Sequence, residues 1–333
     1  MVTANAAALL LQHYVDNFRR LPWRSAPGEP PPDTYRIWLS EVMLQQTTVA
    51  AVIPRFERFL QRWPTIEALA AASDDAILSE WAGLGYYARA RNLIACARDV
   101  AELGGFPRTA GELRALPGVG AYTAAAIAAI AYGEAAAAVD TNVQRLIARL
   151  FALREPGRAD IEARVLAILP TGRAGDFTQA MMDLGATICR PKAPLCGACP
   201  LRASCAAAQS ADPETFPARK ARRQRPHRYG VAYWAERDGK VWLVRRPAKG
   251  LLGGMAALPG TEWTDVPPRG ANALGTIRHL FTHFSLELHI VSAAAPTGEG
   301  WWQRVDQLDE AGLPTLYRRA AAVAMEGLTQ RAE

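Results

Sequence analysis

Lysine is scarce in this sequence, and most of the chain has none. The 333 residues include 38 lysines and arginines, but only four are lysine, at positions 192, 220, 240 and 249. A reaction that uses a lysine amine as nucleophile therefore has no candidate before Lys192. The net charge of +6 is compatible with a polyanionic partner but does not identify one, because many basic proteins carry only solvated charges.

Long apolar runs are also missing. The alanine-rich stretches are broken by glycine or charge and are too short to span a bilayer. No basic region precedes AAALLL near the start, and HYVDNFRR follows it at helical spacing, so we expect neither a signal peptide nor a membrane-spanning helix. The sequence predicts a cytoplasmic, monomeric protein of two domains.

Alternating strand patterns are missing from residue 5 to about residue 208, where the pattern is helical. In PPDTYRIWLSEVMLQQTT, apolar residues recur at helical spacing, and Asp33 or Thr34 can cap the helix. Thr65, Ser73 and Thr109 each precede another short helical pattern. We therefore predict an all-α domain over residues 1–216.

The pattern changes after a basic segment, PARKARRQRPHR (217–228), which contains no acid and is predicted to be an exposed linker. Beyond it, YGVAYWAER and KVWLVRR flank Asp238-Gly239, which is a hairpin signal. LGTIRHLF and HFSLELHIV predict a second strand pair, and PTLYRRAAAVAMEGL predicts a helix. Residues 229–333 are therefore predicted to form a smaller α+β domain.

Four of the five cysteines lie in CRPKAPLCGACPLRASC (189–205), at Cys189, Cys196, Cys199 and Cys205. Four thiols in one short loop can close around one metal centre. Zinc usually takes two separated Cys-x-x-Cys pairs, and only one pair here has that spacing. A 4Fe–4S cluster also takes four thiolates and tolerates irregular spacing. Spacing alone favours the cluster but leaves zinc open.

Residues 116–122, LPGVGAY, lead into an alanine-rich helical pattern. Gly118, Val119 and Gly120 form a loop with little side chain, so its amides can point outward at a helix N-terminus. Such amides bind anions, including DNA phosphates, and these contacts position a duplex without reading its sequence. A plain turn between two packed helices has the same short pattern.

The glycine hairpin, Asp140 beyond it and the Cys-x6-Cys-x2-Cys-x5-Cys loop together resemble the helix–hairpin–helix DNA glycosylases of the endonuclease III superfamily. The matched motifs cover most of residues 20–205. The resemblance implies a 4Fe–4S cluster in loop 189–205 and phosphate contacts at the hairpin. Members that cut the strand carry a lysine where this chain has Tyr122, so a monofunctional glycosylase is implied.

Two carboxylates suit the removal of a base. Asp140 begins the helical pattern TNVQRLIARLF, where an aspartate can cap the helix and its negative charge is stabilised. A fixed negative charge can stabilise the positive sugar left when the glycosidic bond breaks. Glu41 lies within an apolar helical stripe, where burial would raise its pKa and let it protonate the departing base. A solvated surface glutamate is the ordinary alternative.

The stretch IWLSEVMLQQTTV closely resembles the signature of the MutY family of adenine DNA glycosylases, in which the glutamate is the proton donor. LPWR (21–24) and GLGYYARARNL (83–93) match the same family. The resemblance implies further roles for the following residues: Trp23, Arg24 and Leu44 in the adenine pocket, Gln46 and Tyr86 as wedges in the base stack, and Tyr122 and Asn142 beside Asp140.

The second domain has a Nudix-like entry, GLLGGMAALPG (250–260), but no Asp or Glu between Asp265 and Glu287. Nudix hydrolases need a glutamate-rich helix for magnesium, so we expect this domain to bind rather than catalyse. In the MutY family the corresponding domain reads oxidised guanine through a Phe-Ser-His loop. The corresponding residues here are Phe281, Thr282 and His283, with threonine in place of serine.

The sequence therefore predicts a base-excision repair enzyme that removes adenine opposite 8-oxoguanine or guanine in double-stranded DNA. The alternatives are another glycosylase of the superfamily, such as one acting on thymine opposite guanine, and a zinc-stabilised DNA-binding module without activity. A Nudix hydrolase is disfavoured by the missing glutamates.

Overall fold

The chain divides into two compact units. The structure, a computed structural model, describes residues 2–209, 212–218, 225–247, 250–268, 273–281 and 283–332. The first unit comprises Met1–Ala72 and Asn92–Ala221, and the second comprises Ser73–Arg91 and Arg222–Glu333. Half of the predicted linker, residues 219–224, lies outside the described residues, and the domain boundaries stay predictions.

The described chain up to residue 209 forms α-helices and short 3-10 turns without a strand, as its periodicity predicts. In chain order the helices are α1 (Val2–Asp16), α2 (Thr34–Leu44), α3 (Val49–Arg62), α4 (Ile66–Ala70), α5 (Asp74–Glu80), α6 (Ala88–Glu102), α7 (Ala110–Leu113), α8 (Ala121–Tyr132), α9 (Thr141–Leu150), α10 (Arg158–Ile168), α11 (Ala174–Thr187) and α12 (Ala206–Gln209).

Side-chain caps begin several of these helices. The Asp33 carboxylate accepts a hydrogen bond from the Tyr35 amide at the start of α2, which settles the choice between the two predicted caps. Thr65 and Ser73 cap α4 and α5, and Thr109 forms a capping box at α7. The helix starts predicted from these residues are confirmed.

Small residues let α11 lie close to its neighbours. A Cβ atom at Gly175 would lie 3.0 Å from the Ala129 carbonyl oxygen of α8. A Cβ atom at Gly185 would lie 2.8 Å from the Cβ atom of Asn142 on α9. The alanine-rich α8 is itself buried over most of its length. These three helices therefore pack at nearly backbone contact, and the candidate site lies between them and α2.

The second unit contains the strands predicted after the basic segment and two further strands, Ala256–Ala257 and Gly300–Arg304, that the sequence did not predict. They are β1 (His227–Trp234), β2 (Glu236–Arg237), β3 (Lys240–Arg245), β4 (Ala256–Ala257), β5 (Ala273–Leu280), β6 (Ser285–Ser292) and β7 (Gly300–Arg304), followed by helix α13 (Thr315–Ala332). The predicted turn at Asp238-Gly239 is present, and both residues have positive φ, as a type I′ hairpin turn requires.

The pairing of one predicted strand differs from the sequence prediction. YGVAYWAER was expected to be one strand of the hairpin, but it is divided at Ala235. The part before Ala235, β1, pairs in parallel with β6, and β5 pairs antiparallel with the other edge of β6. The part after it, β2, pairs with β3, which also pairs with β4 and β7. The periodicity of two is the same in both parts, so it could not show that the strand changes sheets.

Helix α13 covers the three-stranded sheet. Its apolar residues, among them Leu316 and Ala320, share one core with Ile277, Leu286 and Ile290 of the strands. Within the described residues, no helix has both the length and the apolar character needed to cross a membrane.

Candidate active site and cysteine cluster

Eight of the residues predicted for the site line one cavity in the first unit. The cavity has a volume of about 790 Å³. Its walls come mainly from helices α2, α8, α9 and α11 and from the loops before and after α2. The predicted residues that line it are Trp23, Arg24, Glu41, Leu44, Gln46, Tyr122, Asp140 and Asn142.

Glu41 is a buried carboxyl group at the wall of this cavity, with only 7% of its surface exposed. Burial raises its pKa from 4.5 to about 7, although the Tyr122 hydrogen bond and the Arg24 charge act in the opposite direction. The nearby Asp140 charge adds to the increase. The alternative interpretation of Glu41 as a solvated surface residue is therefore wrong. Its carboxyl group can hold a proton near neutral pH.

Tyr122 interacts with both carboxylates. Burial, with the charges of Glu41 and Asp140, raises the pKa of its phenol well above 10. The phenol therefore stays neutral, and its side chain hydrogen-bonds to Glu41. Its oxygen lies 3.7 Å from the Met182 sulfur. A neutral phenol in this place can orient the acid but cannot act as an amine nucleophile.

Asp140 caps α9, as the sequence predicts. Its Oδ1 accepts a hydrogen bond from the Val143 amide at 2.6 Å, and its Oδ2 accepts one from the Asn142 side chain at 2.8 Å. Both donors, with the positive end of the helix dipole, stabilise negative charge on the carboxylate. Asp140 thus presents fixed negative charge to the same cavity that holds the proton of Glu41.

An ion pair that sequence reasoning missed holds Arg24 in the cavity wall. Arg24 donates to both carboxylate oxygens of Asp183 on α11, at 2.6 and 3.1 Å, and Arg19 donates to one of them at 3.1 Å. The side chains of Arg24 and Asp183 are 8% and 13% exposed. A sequence pattern could have pointed to Asp183, because this carboxylate interrupts an apolar helical stripe in the same way as Glu41. Beside Arg24, Trp23 is buried edge-to-face against Phe56.

The glycine hairpin connects α7 to α8. Gly118 has φ of +72°, and a Cβ atom there would lie 2.5 Å from the Cβ atom of Asn92, so only glycine fits. Gly120 caps α8 without a side-chain hydrogen bond, which leaves the first-turn amides available to an anion. Val119 differs from expectation, because its side chain is buried and its amide donates to the Leu116 carbonyl.

Both predicted wedge residues have left-handed backbone conformations. Gln46 has φ of +56° and Tyr86 has φ of +48°, and both side chains are exposed. Non-glycine residues in this region are strained, and such strain is concentrated at functional sites. The Arg89 guanidinium lies 5.6 Å from the centre of the Tyr86 ring. Sequence patterns gave no signal for either backbone conformation.

The residues predicted to read guanine belong to the second unit. Phe281 is half-buried, and its ring stacks on Trp263 with the centroids 5.4 Å apart. His283 is exposed, and Thr282 lies outside the described residues. The structure therefore shows Phe281 as part of an aromatic cluster with Trp263 and Phe284.

The four clustered cysteines line one small cavity, whose remaining walls are mainly apolar. Burial raises the pKa of the Cys199 thiol to about 11, and the other three cysteines add to the increase. Metal binding must therefore be coupled to loss of thiol protons. Among the described residues, no three His, Cys, Asp or Glu side chains form a ready site for a metal ion. Four soft sulfur donors around one cavity nevertheless fit an iron–sulfur cluster.

Two arginines of α9 connect this cysteine loop to the rest of the unit. Arg145 donates to the Cys189 carbonyl at 2.7 Å and to the Asn142 side chain at 3.0 Å. Arg149, which is 2% exposed, lies within 3.5 Å of the Cys189 sulfur. Helical periodicity did not predict that either arginine contacts the cysteine loop, since surface arginines at this spacing are common.

Comparisons with known proteins identify the families of both domains. The model of the HhH-GPD superfamily base excision DNA repair protein matches residues 39–171, and a NUDIX domain model matches residues 230–322. A thermostable thymine-DNA glycosylase aligns with a TM-score of 0.56 and 29% identity, over 61% of this chain and 95% of that one. A trapped endonuclease III–DNA covalent intermediate aligns with a TM-score of 0.52 and 25% identity, over 61% and 93% of the respective chains.

The helical fold and the family matches define a DNA glycosylase of base-excision repair, joined to a Nudix-like domain. The adenine DNA glycosylase of Homo sapiens is 36% identical over 94% of this chain and 73% of the human protein. That of Mus musculus is 35% identical over 88% and 72% of the respective chains. The chain belongs to the family of adenine DNA glycosylases, which confirms the resemblance seen in its sequence motifs.

Proposed function

We propose that this enzyme hydrolyses the N-glycosidic bond of adenine paired with 8-oxoguanine or guanine in double-stranded DNA, acting as a monomer. The observation that carries the proposal is the pair of carboxyl groups in one cavity. Glu41 can hold a proton near neutral pH, and Asp140 is held as a fixed negative charge by two hydrogen-bond donors. Because their surroundings differ in this way, the protonated carboxyl group can act as the acid and the ionised one can stabilise positive charge.

The two groups have different parts in the reaction. The adenine leaves the stack and enters the cavity, beside Trp23 and Arg24. Glu41 gives its proton to a ring nitrogen, which makes the base a better leaving group. As the bond to the sugar breaks, positive charge develops on the sugar, and Asp140 stabilises it. Water then adds to the sugar carbon, and the proton that it loses returns to the Glu41 carboxylate, which restores the acid.

The neighbouring side chains keep both groups in position. Tyr122 hydrogen-bonds to Glu41, and Asn142 donates to Asp140. The Asp183 carboxylate holds the Arg24 guanidinium by two hydrogen bonds, so the arginine cannot swing out of the wall. Fixed groups of this kind need no reorganisation during the reaction.

Selectivity for adenine in a mispair requires that the opposite base is read, because adenine itself is undamaged. We assign this reading to the Nudix-like unit, at Phe281, Thr282 and His283. Gln46 and Tyr86 occupy the stack vacated by the flipped base. Flipping costs a few kcal/mol, and wedge and pocket contacts offset this cost.

The enzyme releases the base and leaves the DNA strand intact. Tyr122 occupies the position of the lysine in strand-cutting relatives, and its phenol is neutral. No lysine precedes Lys192 in the sequence. The similar endonuclease III structure contains a trapped covalent intermediate with DNA, and the present site has no lysine amine that could form one.

We further propose that the four cysteines hold a 4Fe–4S cluster. The cluster orders the loop that carries Arg190, Lys192 and Arg202, which then contact DNA phosphates. Amides at the hairpin, at Gly118 and Gly120, provide a second phosphate contact. Bound to its thiolates, the cluster supplies one-electron redox chemistry, and the glycosylase steps above do not use it.

The proposal is tested with DNA duplexes of about 30 base pairs. Three of them carry adenine, opposite 8-oxoguanine, guanine or thymine, and a fourth carries thymine opposite guanine. Alkali cleavage after single-turnover incubation reports base removal. We expect product only from the first two duplexes, and none with Glu41→Gln, whereas Glu57→Gln on the exposed face of α3 serves as the matched control. Excision of thymine opposite guanine at an equal rate, or full activity of Glu41→Gln, would overturn the proposal.

A further inference from the structure

Arg149 is a buried cation whose hydrogen-bond partners in the described structure are three backbone carbonyls and one cysteine sulfur. It lies in the last turn of α9 and is 2% exposed. Its guanidinium donates to the carbonyls of Arg190 at 2.7 Å, Pro191 at 3.2 Å and Phe216 at 3.1 Å. The remaining partner is the Cys189 sulfur at 3.5 Å.

A guanidinium buried this deeply requires compensating negative charge. Burial of an unpaired ion is costly, and deeply buried charges in proteins are normally paired. Among the described residues, no carboxylate forms an ion pair with Arg149, and its guanidinium contacts the Cys189 sulfur of the cysteine cavity. This differs from Arg24, which is also buried but has the Asp183 carboxylate as its partner.

Arg149 faces the cysteine cavity through two of its own atoms. The guanidinium reaches the Cys189 sulfur, and the backbone carbonyl of Arg149 lies 3.4 Å from the Cys205 sulfur. The same cavity is lined by Cys196 and Cys199 and by apolar side chains such as Leu201. In apolar surroundings a charge interaction is stronger than in water.

We propose that Arg149 is the counter-cation of the iron–sulfur cluster and raises its reduction potential. The inference rests on the cofactor proposed above. Net charge and hydrogen bonds to the sulfurs are among the factors that set such a potential. Reduction adds one negative charge to the cluster, so a fixed cation stabilises the reduced form more than the oxidised form. The three carbonyl contacts hold the cation at the Cys189 sulfur.

The alternative is a purely structural role, in which the same contacts only hold the cysteine loop against α9. The two roles predict different properties for variants of Arg149. Arg149→Lys keeps the positive charge but cannot form all four hydrogen bonds. Arg149→Met keeps an unbranched chain of similar length without the charge. Arg202→Met is the matched control, because Arg202 lines the same cavity but its side chain is exposed to solvent.

The experiment measures iron per chain and the midpoint potential of the full-length protein by protein-film voltammetry. We expect Arg149→Met to shift the potential to a more negative value, Arg149→Lys to retain most of the wild-type potential, and Arg202→Met to shift it far less than Arg149→Met. If the methionine variant does not fold, the lysine variant decides. A folded, iron-containing Arg149→Lys protein that keeps the wild-type midpoint potential supports the inference, and one that loses that potential overturns it.

Two results separate this inference from the cofactor proposal. An iron-containing Arg149→Met protein with the wild-type potential overturns the counter-cation role alone. Wild-type protein purified anaerobically without iron overturns the cofactor and the counter-cation role together, while the mispair assay above remains a separate test of glycosylase activity.

Discussion

Replacement of Glu41 by glutamine should stabilise the enzyme while abolishing its activity. Burial of the ionised carboxylate is unfavourable, and this is why its pKa rises from 4.5 to about 7. That difference corresponds to about 3 kcal/mol, at roughly 1.4 kcal/mol for each tenfold change in proton affinity. Solvent screens little of this cost, since Glu41 is only 7% exposed.

The sign follows from proton binding. Between pH 4.5 and about 7 the folded state holds the Glu41 proton more tightly than the unfolded state, so stability falls as pH rises through this window. Below the window both states are protonated, and the cost is absent. Above it the full cost is present. Glutamine has no proton to lose, so the variant should lack this component of the pH dependence.

The assay compares urea unfolding of wild type and Glu41→Gln, followed by circular dichroism, at pH 5, 6, 7 and 8. We expect the stability difference between the two proteins to change by about 2 to 3 kcal/mol in favour of the variant from pH 5 to pH 8. Glu57→Gln, at an exposed position on α3, should show no such change. Parallel pH profiles for wild type and Glu41→Gln would refute the desolvation argument.

Further predictions concern the reaction, the ion pair and the cofactor. Single-turnover adenine release by wild type should slow as pH rises above about 7, because the acid form of Glu41 is depleted; a rate that rises there contradicts this. Asp183→Asn should lower the free energy of unfolding by about 3 kcal/mol, since it leaves the buried Arg24 unpaired, and a loss below about 1 kcal/mol in urea unfolding counts against it. Tyr122→Lys should give borohydride-trapped DNA complex where wild type gives almost none; strand cleavage by wild type that keeps pace with base release is the opposing result. Anaerobically purified protein should contain about four irons per chain and no stoichiometric zinc, and Cys199→Ser should lose iron; one zinc per chain would exclude the cluster.

The sequence predicted the helices and the two carboxylates from local patterns, whereas the other predicted residues of the cavity came from the family resemblance. Apolar spacing defined α2, and a carboxylate inside that stripe identified Glu41. Capping residues located the starts of several helices, including that of α9 at Asp140. These signals lie within a few residues of the feature they predict.

What the sequence did not predict depends on contacts between distant segments. Asp183 pairs with Arg24 across 159 positions, and Arg149 reaches Cys189 across 40. The division of the first predicted strand at Ala235 depends on which sheet offers a partner, and β6 lies about fifty residues farther along the chain. The positive φ of Gln46 has no sequence signal, because glutamine is not a residue that usually marks left-handed turns.

The two glycines of α11 have a consequence for how this site can change during evolution. The distance between the wall that carries Glu41 and the wall that carries Asp140 depends on helices that touch almost backbone to backbone, at Gly175 and Gly185. Peptide backbones, unlike side chains, have no alternative rotamers with which to absorb a displacement. The packing of the fold therefore sets the width of the base pocket. New base preferences must arise from substitutions of residues that line the pocket rather than from a change in its width. A side chain at Gly185 would displace Asn142, and it would act on the reaction without ever touching the substrate.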